Sequence, residues 1–329
     1  MKKTLILWLI VVAATATVVL GATAWRLETR MERGYFVDQS SPSGETYDLY
    51  VPESASPFRK APLLVMLHGG TQTPEDIALL SDMNVHAEAF GFIVLYPEQS
   101  KLRNSGGYWN WFLPQNQIRF GEPAVIVDLV QEVQTAYRID TDAIFAAGFS
   151  AGACMAMNLI VAYPEVFAGV GLVGGLAYGV ASTAAMALTA MSGTLFDLDV
   201  TSLHAAQNRP QGNRRLLRAI VFHGADDTRV DAANYDYLIS QIAMINDWID
   251  DDRRNESVSP TPFERIRSTA ANQIVTTGAE YRDASGDAFL VGYLIEGMTH
   301  RYPGGSVTPY AFELGPDASR LMIEFFHLN

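Results

Sequence analysis

Apolar residues recur along this chain as short unbroken runs, separated by longer segments in which they fall every three or four positions. A run too brief for a helix and too uniformly apolar for a one-faced strand reads as a strand buried on both faces. Residues 63–67, 92–95, 143–147, 167–173 and 216–222 are of this kind. Residues 47–51 alternate instead, as an edge strand closed by Pro52. Residues 279–283 and 288–295 predict two further strands joined by a turn at 284–287. Between these, Thr73 caps a helix with Pro74 at its first position and Glu75 and Asp76 in its first turn. Residues 121–137 carry a helical stripe of Val125, Val127, Leu129, Val130 and Val133, and 321–326 belong to a closing helix. Residues 26–44 and 53–62 show neither period and are expected as loops. Strands alternating with helices imply an α/β fold, a mostly parallel central sheet with helices on both faces, in one domain over roughly residues 34–329.

The run 143–147 leads into Gly148-Phe149-Ser150-Ala151-Gly152 and then an apolar helical stretch that Pro164 stops. Strand, sharp turn and helix are the context that a G-x-S-x-G nucleophile elbow requires. Without a Cβ at Gly148 and Gly152, strand and helix can approach closely enough to hold Ser150 at a strained apex. The plainer reading is a structural serine in a glycine-bounded turn. What separates the two is whether partners for Ser150 exist elsewhere.

Composition narrows the field. The chain has 329 residues, 49% hydrophobic and 18% charged, which suits a globular α/β domain. A net charge of −13 would repel nucleic-acid phosphates, so no nucleic-acid partner is expected. Cys154 is the single cysteine and packs as a hydrophobe one turn past Ser150; no internal disulfide can form, and neither C-x-x-C nor H-E-x-x-H occurs, so no metal site is expected. Lys2 and Lys3 precede an uncharged run over residues 4–25. Its length suits a membrane anchor, whereas Ala22-Thr23-Ala24 offers a signal-peptidase site, and cleavage is favoured. Either outcome puts the rest of the chain outside the cytoplasm, extracellular or periplasmic. Residues 179–195, rich in Ala and Met, predict a helix that packs on the core or else covers the site, the former favoured. Residues 247–256 mix acids and arginines without EF-hand spacing and read as a solvated face, not a calcium site.

If Ser150 is a nucleophile on such a sheet, an acid and then a histidine follow it in the chain. That order removes His68 and His86. His204 lies in an insertion, His223 sits beside Gly224 in a packed turn, and His327 stands next to Phe325-Phe326 near the end. His300 remains, on a Gly/Pro-rich loop after the last strand. Asp226 and Asp227 both follow the strand ending at Phe222, and position alone does not choose between them. The loop His68-Gly69-Gly70-Thr71 would supply amide donors from Gly70 or Thr71, beside that of Ala151, to an oxyanion.

The stretches L-H-G-G-T-Q-T-P-E-D, W-N-W-F…G-E-P-A, G-F-S-A-G, F-H-G-A-D-D-T-R-V and G-M-T-H-R-Y-P-G-G together resemble the extracellular poly(3-hydroxybutyrate) depolymerase and feruloyl/acetylxylan esterase family, over nearly all of residues 47–326. The resemblance implies an α/β-hydrolase fold and cofactor-free, serine-dependent hydrolysis of carboxylic esters. It puts the nucleophile at Ser150, the base at His300 and, through the family's H-G-x-x-D pattern, the acid at Asp227. Gly70 and Tyr108 stand where many members have cysteine, and Tyr302 where tryptophan is usual. Tyr302 is grouped with Trp109 and Trp111 as substrate-contacting aromatics, though the two tryptophans equally suit a core. With no polymer-binding domain following, soluble oligomers or small esters are the expected substrates. A serine peptidase on the same fold, or an inactive surface-anchored binding protein, is the alternative.

Overall fold

The computed structural model describes residues 35–194, 196–269, 274–305 and 308–328. The leader read over residues 4–25 lies outside them. Among the described residues, no helix is long and apolar enough to cross a membrane.

In chain order, the strands of the main sheet are β1 (Tyr35–Ser40), β2 (Thr46–Val51), β3 (Ala61–Leu67), β4 (Ile93–Pro97), β5 (Ile139–Phe149), β6 (Gly169–Val173), β7 (Ala219–Gly224), β8 (Glu264–Thr269), β9 (Val275–Arg282) and β10 (Ala288–Ile295). They stand side by side as β1-β2-β4-β3-β5-β6-β7-β10-β9-β8. From β4 to β10 every neighbour is parallel, while β2 pairs antiparallel with β4, and β9 antiparallel with β10 and β8. This is the α/β-hydrolase arrangement, with an antiparallel ribbon added at each end.

The continuous apolar runs are buried on both faces because the strand period deals alternate residues to two cores. In β3, Leu63, Val65 and Leu67 enter one cluster, and Leu64 and Met66 the other. Helices α1 (Pro74–Ser81), α2 (Met83–Phe90) and α8 (Ala318–Phe325) cover one side. Helices α3 (Gly121–Ala136), α4 (Ala151–Ala162) and α7 (Ala233–Asp251) cover the other. Thr73 starts α1 with a reciprocal capping box to Asp76. In α3 the buried stripe holds Ile126 in place of Val125, together with Glu122.

Three sequence readings change. Residues 35–40, expected as loop, form β1, which takes the edge and leaves β2 internal. A polar strand, β8, precedes the predicted pair β9–β10. Within 247–256, Asp247 is buried: it accepts hydrogen bonds from the amides of Asn255, Glu256 and Val258 and from the Ser257 hydroxyl, organising the turn after α7. Asp250 is half-buried, and the remaining acids and arginines there are exposed.

The sheet's centre is fixed by backbone contact. A Cβ on Gly148 would lie 2.4 Å from the Gly152 carbonyl carbon, and one on Gly152 would lie 2.3 Å from the Leu67 carbonyl oxygen. Both obstacles are main chain and cannot rotate away. Gly152→Ala is therefore expected to lose about 3 kcal/mol or more of unfolding free energy in a denaturant titration. An unchanged midpoint would refute the close approach.

Candidate active site

Ser150 links β5 to α4 at φ 56° and ψ −119°, a conformation an L-residue adopts only when its surroundings enforce it. The enforcement comes from the glycine contacts and from the Ser150 N–H, which donates to the Val173 carbonyl at 2.8 Å. Its hydroxyl projects above the C-terminal ends of the parallel strands, where loops after β7 and β10 converge.

Asp227 lies in the turn after β7. Its Oδ1 accepts from the amides of Arg229 and Val230, each at 2.9 Å, and its Oδ2 accepts from His300 Nδ1–H at 2.7 Å. Burial alone would push this carboxyl up; the hydrogen bond and charge of His300, with the Val230 amide, outweigh it and hold the group below the usual carboxylate range. Asp226 is exposed, and its amide donates to the Met298 carbonyl. With Nδ1 carrying the proton toward Asp227, His300 Nε2 is free to accept from Ser150 Oγ–H at 2.9 Å. Phe149 stacks on the imidazole at 5.1 Å between centroids and limits its rotation.

A second imidazole stands nearby without joining this chain. His223 is fully buried, its Nε2 donates to the Val230 carbonyl at 2.9 Å, and burial lowers its pKa. Kept neutral, it does not compete for the charge of Asp227, 3.6 Å away.

On the other side of Ser150, the loop after β3 is tied down at its flanks. The Gly69 amide donates to Gln72 Oε1 at 2.7 Å, and the Gln72 amide closes the turn on the Gly69 carbonyl. That leaves the next two amides, of Gly70 and Thr71, outside the loop's own hydrogen bonds; Thr71 takes φ 66°. His68 is buried as a brace: its Nε2 accepts from the Gln99 amide, and its carbonyl accepts from Trp109 Nε1–H at 3.1 Å. A Cβ at Gly70 would lie 2.1 Å from the Tyr108 ring. The two positions where the resemblance expects cysteine are thus adjacent in space, and here a glycine and an aromatic ring fill that space together.

Sequence reasoning missed the supports of this wall. Glu122 is buried and accepts from Gln99 Nε2, Asn110 Nδ2 and the Asn110 amide, at 2.6 to 2.8 Å. Burial raises its pKa against those three bonds. Asn158 of α4 donates to the carbonyls of Trp111 and Asn116. An acid or amide in an apolar helical stripe was the available signal.

A cavity of about 410 Å³ opens beside Ser150, walled by Trp109, Trp111, Phe112 and Leu176. Both tryptophans are almost fully buried yet face it, so the core and cleft readings hold at once. Residues 184–191 of the Ala/Met-rich segment form α5 (Ala184–Met191), followed by α6 (Leu198–Gln207), and Ala187, Leu188 and Met191 of α5 add a further wall. Cys154 sits in the lining with its thiol pushed up to about 12 by burial, a packed hydrophobe. Tyr302 is a correction: it is 1% exposed, does not line the cavity, and bonds through its hydroxyl to Ser319 Oγ at 2.8 Å within the core beneath Phe149. It stiffens the site from below and is out of a substrate's reach.

Residues 45–259 match the family model described as esterase PHB depolymerase. Among curated proteins, the chain is 28% identical over 245 residues to poly(3-hydroxyalkanoate) depolymerase C of Paucimonas lemoignei, covering 74% of this chain and 55% of that protein. It is 26% identical over 305 residues to feruloyl esterase B of Neurospora crassa, covering 88% and 90%. The chain thus spans little more than half the length of the depolymerase. Among solved structures, an acetyl xylan esterase from Aspergillus awamori superposes with a TM-score of 0.68 at 19% identity, over 90% of this chain and all of that one, a likeness of fold.

Two measurements test this geometry. Because the Asp227 carboxyl is held below its unfolded value of about 4, its stabilisation is present above that pH and is lost as pH falls through the folded value. The stability gap between wild type and Asp227→Asn should therefore narrow from about pH 5 to about pH 3; a gap that widens there refutes the assignment. Glu122→Ala orphans the buried amides of Gln99 and Asn110 and should cost about 2–4 kcal/mol of unfolding free energy in a denaturant titration, while Glu122→Gln, which keeps an acceptor oxygen, should cost less. An unchanged midpoint in Glu122→Ala would show that the wall does not depend on this carboxylate.

Proposed function

Because the chain belongs to the esterase PHB depolymerase family, we propose that it is a serine carboxylic-ester hydrolase acting through Ser150, His300 and Asp227. The reading rests above all on the unbroken hydrogen-bond chain from Asp227 through His300 to Ser150, ending at the mouth of an apolar cavity.

In the first half-reaction Ser150 Oγ bonds to the ester carbonyl carbon as its proton passes to His300 Nε2. Asp227 stays ionised, holds the imidazole in the tautomer that leaves Nε2 free, and stabilises the imidazolium. Negative charge gathers on the former carbonyl oxygen, within reach of the Ala151 amide at the start of α4 and of Gly70 or Thr71. As the tetrahedral centre collapses, the alcohol leaves with the proton of His300. Water then enters, gives its proton to Nε2, and cleaves the acyl-enzyme. No cofactor takes part.

The relatives' names point to two substrate groups, polyhydroxyalkanoate and feruloyl or acetylxylan esters. A cavity of about 410 Å³ lined by indole and aliphatic surface suits a short acyl chain or one aromatic ring. The uncharged run over residues 4–25, led by Lys2 and Lys3, supports action outside the cytoplasm.

Ser150→Ala is expected to reduce kcat for a p-nitrophenyl ester by about 10⁴-fold or more with an unaltered circular-dichroism spectrum. A fluorophosphonate probe should label wild type at Ser150 and leave the variant unlabelled. Turnover of peptide anilides in preference to esters would make it a peptidase, and unlabelled wild type a binding protein. Activity surviving in the variant would remove Ser150 from the mechanism.

A further inference from the structure

At the sheet edge remote from Ser150, Asp38 of β1 stands directly opposite Asp48 of β2 in the antiparallel register. Like charges in that relation repel across the ladder. Glu75, in the first turn of α1, joins them: one carboxylate oxygen from each residue lies within 4.8 Å of the others. Asp38 and Glu75 are exposed, but Asp48 is 4% exposed, on the face that packs under α1 and α2. Its Oδ2 has no hydrogen-bond partner. Among the described residues, none of the three carboxylates is in an ion pair with Lys, Arg or His. Burial and a hydrogen bond shared with Asp38 push the Asp48 carboxyl up, and no donor among the described residues answers the cluster, so a shared proton or a cation must offset the repulsion; three carboxylates converging on one point are more than one proton bridges, which favours the cation.

We propose that Asp38, Asp48 and Glu75 bind a calcium ion that ties the β1–β2 ribbon to the start of α1. The donors are all hard carboxylate oxygens, with neither His nor Cys among them, which disfavours zinc and copper. Oxygens on opposite sides of calcium stand about 4.6–5.2 Å apart, so the observed spread fits its coordination sphere. The two exposed members leave one side open to the waters that complete six to eight ligands. The sequence hid this site because its members lie far apart in the chain and match no loop motif. The bound ion would brace α1, the helix that directly follows the Gly70–Thr71 loop.

The full chain, freed of metal with EDTA, is titrated with calcium chloride while thermal unfolding is followed, with sodium chloride at matched ionic strength as the control. Millimolar calcium should raise Tm by about 3–8 °C. Terbium should bind at one site per chain, with luminescence sensitised by the neighbouring Tyr96 and displaced by calcium. In Asp48→Asn the calcium response should vanish, while the metal-free Tm stays level or rises because a repelling charge has gone. Glu75→Gln, a change at an exposed helix position, should weaken calcium at least tenfold and covers the case in which the first variant misfolds. A Tm shift no larger than the sodium control, or calcium binding that survives both substitutions, would overturn the proposal and leave a shared proton as the means by which the carboxylates coexist. These readouts are independent of ester hydrolysis, so their failure would leave the catalytic reading intact.

Discussion

Main chain touching main chain at Gly148, Gly152 and Leu67 is the contact from which the rest of this site is hung. It presses the N-terminus of α4 against the ends of β3 and β5 and leaves Ser150 no φ but a positive one. A non-glycine residue held so costs on the order of 1–3 kcal/mol. Against that stands α4, every residue of which is buried. Fully burying side chains such as Met155, Leu159, Ile160 and Val161 contributes about 1.5–3 kcal/mol each. Burial wins by a wide margin, so the strain persists where it is needed. The same contact fixes the distance between Ser150 and the loop at Gly70, because that loop is the direct continuation of β3.

Electrostatics then divides two histidines that stand on either side of one carboxylate. Both approach Asp227, and both have one ring nitrogen spoken for. His223 gives its proton to a carbonyl in a fully buried place, so charging it would mean desolvating a cation with no acceptor for its second proton. His300 gives its proton to a carboxylate and keeps its other nitrogen at the cavity. A single buried charge thus serves one imidazole, and the hydrogen bond and charge of His300, helped by the Val230 amide on the other oxygen, hold it ionised despite its burial.

How much of this was legible in the sequence depends on whether a residue's environment leaves a local trace. The central strands did, since burial on both faces demands an unbroken apolar run, and so did the Thr73 cap and the glycines about Ser150. β1 and β8 left little, because edge strands solvated on one side carry Asp38, Gln39, Glu264 and Arg267 like any loop. Position in the chain could not part Asp226 from Asp227, a difference that lies in which side chain the turn rotates inward. Tyr302 was misjudged for a related reason. The resemblance puts an aromatic two residues after His300, but at that point the chain enters the short pairing of β11 (Tyr302–Pro303) with β12 (Ala311–Phe312), and the ring packs in the core against Phe149.

Glu122, Gln99 and His68 raise a further point about the cavity wall. Gln99 Nε2–H donates to the Glu122 carboxylate, the Gln99 backbone amide donates to His68 Nε2, and the Trp109 indole N–H donates to the His68 carbonyl. The indole that walls the cavity and the loop that carries Gly70 therefore share one polar skeleton, most of it buried. In a low-dielectric interior, displacing one member leaves the next unsatisfied, so such a chain moves as a unit or not at all. A substrate group that strains Trp109 would also disturb the amides at Gly70 and Thr71, the proposed donors to the oxyanion. Selection by the wall and stabilisation of the transition state are in that case one mechanical event, and a poorly fitting substrate pays in kcat as well as in KM.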